Sequence, residues 1–189
     1  MAKDQSDPTT IMLVRHAERP DEDGGSDPGV DADGTRCTES LTATGWRRAA
    51  ALADLLAPAD GEPDPPLVRP RALFASTPSR KNGSKRSLQT VTPLATRLAV
   101  EVNTLFGRAD VKDLAKEVRR AQGPVLISWQ REYLPDIVAA LGLADRAVPD
   151  PWPEHRYDVV WVLTPTPDGE WNFGQAPQRL LPGDAGTGI

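Results

Sequence analysis

Residues that build cross-links and metal centres are scarce in this chain. It holds one cysteine, Cys37, and two histidines, His16 and His155. A lone cysteine excludes an internal disulfide and fits a reducing compartment. One cysteine and two widely separated histidines leave no spacing for a His/Cys metal site, so neither a metal nor another cofactor is expected. No apolar run approaches the roughly 20 residues that cross a bilayer, and no membrane association is expected. The opening stretch, Met1 to Asp7, lacks the apolar segment of a secretion signal, which points to the cytoplasm. Basic residues are outnumbered, 22 against 27 acidic, and the net charge of −5 argues against general nucleic-acid binding. What is present is ordinary: 39% apolar and 26% charged residues in a chain of 189. That is enough for one domain with a sizeable core and hardly enough for two.

The organising stretch is Ile11-Met12-Leu13-Val14-Arg15-His16-Ala17-Glu18-Arg19. Its four apolar residues read as a short buried strand, parallel and central. Further apolar runs at Ala72–Ala75, Val125–Trp129 and Val159–Leu163 read as strands two to four, and Glu170–Phe173 alternates as an edge strand. Helical spacing marks residues 41–57, with Trp46, Ala49, Ala50, Ala53 and Leu56 on one face and Thr42 or Thr44 as its cap. It also marks about 84–99, 109–121, and a segment opened by Pro135 and closed at Gly142. Strand and helix alternate throughout. The fold expected is α/β, a three-layer sandwich with a mostly parallel central sheet and helices on both faces. It forms a single domain over 1–189, with its core in 9–175 and a loose tail over 176–189.

Charge is unevenly spread. Between Glu18 and Glu39 eight acids face two arginines, in a long polar stretch that reads as either a lid or a plain insertion. From Pro65 to Val100 there is no acid, while seven bases occur, Arg86 among them; such one-sided charge invites an anion.

Open α/β sheets bind ligands at the carboxyl ends of their strands. Three strand ends therefore compete for one pocket: Arg15-His16, the stretch from Ser76 to Thr90, and Trp129-Gln130-Arg131-Glu132. An arginine fork grips phosphate oxygens, and a neutral imidazole attacks phosphorus. In order and strand placement these segments resemble the histidine phosphatase superfamily, the phosphoglycerate-mutase-like group. Leu13-Val14-Arg15-His16-Ala17-Glu18 matches its Arg-His-Gly/Ala-Glu signature. Leu41-Thr42-Ala43-Thr44-Gly45 matches its Leu-Thr-x-x-Gly, and Ser76 with Arg86-Ser87-Leu88-Gln89-Thr90 its Ser…Arg-x-x-x-Thr element.

The resemblance implies His16 as the nucleophile that becomes phosphohistidine, with Arg15 and Arg86 clamping the phosphoryl oxygens. Arg19 would add a further cationic contact. Glu18 would be a proton donor or orienting group, or else a structural carboxylate paired with an arginine. One departure stands out. Relatives carry a second histidine just beyond the third strand, where this chain has Arg131, and His155 lies in a Pro-rich loop that cannot readily replace it. The proton donor has no motif; Glu101 and Glu132 are the other candidates. Two readings follow: a metal-independent phosphatase acting on a small phosphorylated substrate, or a degenerate member that binds a phosphorylated ligand, another anion or a protein partner. A different reaction in the same pocket is a third, and the oligomeric state stays open.

Overall fold

The computed structural model describes residues 10–21, 26–78, 83–143 and 148–189. Six strands form one sheet: β1 (Ile11–Arg15), β2 (Ala72–Ala75), β3 (Val102–Asn103), β4 (Val125–Trp129), β5 (Val159–Pro165) and β6 (Trp171–Pro177), in the order β3-β2-β4-β1-β5-β6. The first four in that order run parallel, while β5 pairs antiparallel with β1 and β6 with β5. The pleat then divides the core. Ile11, Leu13, Ile127 and Trp161 face one layer, with α3 (Val111–Val118) and α4 (Leu134–Val138) over them. Met12, Val14, Leu126 and Val160 face the other, under α1 (Ala43–Leu56) and α2 (Arg86–Leu98). This is the three-layer α/β sandwich expected. The two-residue β3 has no counterpart among the expected strands, being too short for periodicity to reveal.

Helix α1 begins where its residues dictate. Thr42 caps it, its hydroxyl accepting from Gly45 N at 3.1 Å. A Cβ at Gly45 would lie 2.6 Å from the Glu18 carbonyl oxygen, so only glycine lets the helix approach the chain beyond β1 this closely. The inner face differs from the expected one: Ala50 is exposed, and Arg48 is buried instead. A buried guanidinium needs partners. Arg48 Nε donates to Glu18 Oε1 at 2.8 Å, and its Nη2 donates to Asp184 Oδ1 at 2.7 Å. Burial pulls the Arg48 pKa down, but the two carboxylates outweigh it and raise it overall. Burial raises the Asp184 carboxyl, and its hydrogen bonds, led by Arg48, bring it below the ordinary range. The pair therefore stabilises the fold above the usual carboxylate range and is lost as pH falls beneath it.

Asp184 lies in the segment expected to be a loose tail, and the structure corrects that expectation. Beyond β6 the chain turns back onto the body, with Gln178 N on the Asp158 carbonyl and Ile189 N on Gln175 Oε1. Composition alone, rich in glycine, hid a segment held by hydrogen bonds and by Leu180 and Ile189 packed against the core. Asp184→Ala, which takes one of two carboxylates from a buried guanidinium and leaves Glu18 on it, should cost about 1.5–3 kcal/mol in urea unfolding.

Candidate active site

The parallel ladder between β1 and β4 continues one residue past β1, His16 N donating to the Trp129 carbonyl at 2.9 Å. This fixes His16 at the carboxyl edge of the sheet, 5% exposed. Its Nδ1 lies 2.8 Å from the Ala17 carbonyl oxygen. A carbonyl only accepts, so Nδ1 carries the proton and Nε2 keeps its lone pair. Burial pushes the imidazole pKa down to about 3, and Arg15, Arg86 and Arg19 push it the same way against the Ala17 carbonyl. At neutral pH the ring is uncharged and poised as a nucleophile.

Helix α2 is tied to the same segment. Thr90 Oγ1 accepts from Ala17 N at 2.8 Å and donates to the Arg86 carbonyl at 2.7 Å. The four-residue spacing from Arg86 to Thr90 is one helical turn, which sets the arginine beside the histidine. Arg86 donates to the carbonyls of Ser40 at 3.3 Å and Thr38 at 2.5 Å. Burial, then Arg19, lowers its pKa against the pull of Glu39.

His16, Arg15, Arg19, Arg86 and Arg131 line one cavity of about 310 Å³ with Ser84, Arg108, Gln130, Glu132 and Tyr133. Five guanidinium groups and one carboxylate around so small a space make an anion site. Arg15 is held by the loop before β5: its Nη1 donates to the carbonyls of Glu154 and Arg156, and its Nη2 to the Tyr157 hydroxyl at 3.0 Å. Its guanidinium carbon sits 3.8 Å from the centre of the Tyr157 ring. Burial lowers its pKa to about 10, Arg131 and Arg19 adding to the effect against Tyr157; it stays cationic at neutral pH. Among the described residues the Arg15 Nε is buried without a hydrogen-bond partner, as is Gln130 Oε1.

Arg131 donates to the Trp152 carbonyl at 3.2 Å, and its charge faces Glu132 at 3.4 Å and Glu154 at 3.9 Å. Arg19 pairs with the same Glu154 at 3.0 Å. Glu18, one of the catalytic candidates, is turned away from the cavity and held by Arg48, so its structural alternative holds. Glu101 lines a groove along α2, and His155 is exposed in the loop before β5. The acidic stretch after Glu18, in its described part, is folded against the site. Gly29 and Val30 bridge to Thr42 and Arg36, and Asp31 accepts from Ser40, Lys85 and Gln89. A second cavity of about 480 Å³ adjoins, sharing Arg19 and Arg86. Arg108, Tyr133 and Tyr157 lie outside the strand ends that the sequence marks, whereas Ser84 and Gln130 fall within them. Arg80 and Lys81, two bases of the acid-free stretch, lie outside the described residues.

Solved structures share this fold. YhfR from Bacillus stearothermophilus aligns at 16% identity over 93% of this chain and 97% of its own, with a TM-score of 0.51. The ecdysone phosphate phosphatase of Bombix mori, crystallised with tungstate, aligns at 12% identity over 95% and 96%, with a TM-score of 0.52. The chain shares the α/β fold of these two proteins. No protein-family model matches the sequence, and no curated protein does. Within that fold the cavity lies where open α/β sheets keep their ligand sites, at the carboxyl ends of β1, β2 and β4.

Proposed function

We propose that this chain is a phosphohydrolase that works without a metal, through a phosphohistidine formed on His16, on a small phosphorylated substrate. The observation that carries the proposal is the pairing of a buried imidazole, presenting Nε2 as a free base, with five arginines around one small cavity. Phosphoryl transfer asks for little else: an in-line nucleophile and positive charge on the equatorial oxygens. Nε2 attacks phosphorus, the leaving oxygen departs with the P–O electrons, and water later releases phosphate from the ring. The unpartnered Arg15 Nε would gain a phosphoryl oxygen in that complex. The work belongs to the cytoplasm, on the composition.

The proton for the leaving group is the weak point of the site. Among the described lining residues Glu132 and Tyr133 alone could deliver one, and the Glu132 side chain is 58% exposed. A carboxylate so open to water is poorly placed to hold a proton against a leaving group. Aryl or acyl phosphates, whose leaving groups need no protonation, should then react at least about tenfold faster than alkyl phosphates. Steady-state rates over a leaving-group series check this, and equal rates would show an efficient donor. Incubation with acetyl phosphate should leave an acid-labile, alkali-stable phosphate on the protein, and EDTA should leave the rate unchanged.

Arg131 supports a second reading, in which the pocket binds an anion and turns nothing over. An arginine cannot shuttle a proton near neutral pH. Tungstate binding in a protein that hydrolyses no substrate of the series would decide for it.

A further inference from the structure

The segment after β6 is joined to the anion cavity by an unbroken chain of hydrogen bonds. Arg156 Nη2 donates to the Thr187 carbonyl at 2.7 Å, and Nη1 to that of Gly188 at 3.2 Å. Its Nε reaches Asp158 Oδ1 at 2.7 Å, while Asp158 Oδ2 accepts from Ala185 N at 2.6 Å. Gln178 N closes the circuit on the Asp158 carbonyl at 2.7 Å. The segment thus grips both sides of Tyr157, and the loop so gripped is the one whose carbonyls and phenol hold Arg15. The far end of the segment is anchored through Asp184 on Arg48.

We infer that the C-terminal segment 178–189 is a brace for the anion site, with Arg156 and Asp158 as positioning residues that keep the Arg15 guanidinium in register with His16. The inference rests on the reading of the cavity as a phosphate site. The physics is preorganisation. Arg15 is a long side chain in a cavity it shares with four other cations, which repel it. Unless its Nη groups are committed elsewhere, it has every reason to swing away when no anion is bound. The loop commits Nη1 and part of Nη2, leaving the Nε edge for a phosphoryl oxygen, so the anion meets a fork already aimed. A loop of this kind, rich in proline and without regular structure, has little stiffness of its own. The brace supplies it from a part of the chain remote in sequence from the nucleophile.

The test uses Arg156→Gln, which cuts the bonds to Thr187 and Gly188 but leaves the Arg156 carbonyl for Arg15, and Asp184→Asn as a second route to the same brace. Tungstate and phosphate dissociation constants, melting temperature and KM against kcat are read for both, with Arg156→Lys as the conservative variant. The expected result is five- to twentyfold weaker anion binding in Arg156→Gln, a matching rise in KM with a smaller change in kcat, and partial recovery in Arg156→Lys. Amide hydrogen exchange over residues 153–158 should quicken in parallel. If either variant melts at a lower temperature but binds anions and substrate as the parent does, the segment is ballast for the fold and the brace is refuted. The anion arm stands whether or not anything is hydrolysed. A protein that shows no phosphohistidine but loses tungstate in Arg156→Gln overturns the phosphatase proposal alone.

Discussion

His16→Ala should remove turnover altogether within detection, a loss of at least about a thousandfold, together with the covalent phosphate label. Anion binding should survive, because the cavity keeps its arginines. Radiolabel after acid and alkali treatment and a tungstate titration make the measurement, and label that persists in the variant would place the nucleophile elsewhere. The same substitution carries a second signature, in stability. The folded imidazole titrates near 3, held down first by burial and then by Arg15, Arg86 and Arg19, while the unfolded chain protonates near the ordinary 6.5. Below 6.5 the unfolded state therefore binds the extra proton, and the contribution of His16 to stability, complete above that pH, drains away as pH falls towards 3. Between pH 7.5 and 4.5 the parent should lose about 2–3 kcal/mol from this group, at 1.36 kcal/mol for each unit below 6.5. His16→Ala starts less stable but should show a flatter slope over that window. The substitution leaves every other titratable group in place, so the difference between the two slopes reports His16. Urea unfolding at the two pH values reads the difference; parallel slopes would mean that the ring is not buried uncharged.

Much of this site was legible because a few residues do two jobs. Arg15 and His16 follow an apolar run, so the strand that places them announces itself. Gln89 and Thr90 proved informative for a reason the sequence does not state. Gln89 accepts from Leu41 N, and Thr90 holds Ala17 N, so both join the nucleophile segment and the start of α1 to α2. Gly45 belongs to the same set, its missing side chain making room for the Glu18 backbone. What stayed hidden depends on contacts between distant parts of the chain. Arg48 looked like a surface residue of an amphipathic helix, because no local pattern reveals a guanidinium that will be buried between two carboxylates. Tyr157 and Arg156 lie in a Pro- and Asp-rich loop whose composition says only that it is irregular. Glu18 followed a signature that offered it chemistry or a structural pairing with an arginine, and only the fold names that arginine as Arg48, thirty positions on.

Arg131→His is the substitution on which the two functional readings part most widely. In the parent the Arg131 guanidinium lines the cavity while donating to the Trp152 carbonyl and facing Glu132 and Glu154. It is thus half-neutralised and reaches in from a fixed base. An anion gains a permanent positive charge from it, and a charge-assisted contact is worth about 1.5–3 kcal/mol before desolvation. That gain is nearly the same for phosphate, substrate and transition state, and uniform binding does not speed the chemical step. It does slow the release of product. Imidazole is shorter, titrates near neutrality and can pass a proton, so the variant trades affinity for acid–base chemistry. The expected outcome is phosphate binding weaker by about ten- to a hundredfold, from the contact energy above, with faster hydrolysis of alkyl phosphates and a smaller change for aryl phosphates, which need no proton. Thermal shift with tungstate and rates over the leaving-group series measure both sides of the trade. A parent that already hydrolyses alkyl phosphates briskly, and a variant that loses activity, would make Arg131 a working part of the catalytic site. If neither protein hydrolyses any phosphate while both bind tungstate, the fold here is used for binding alone.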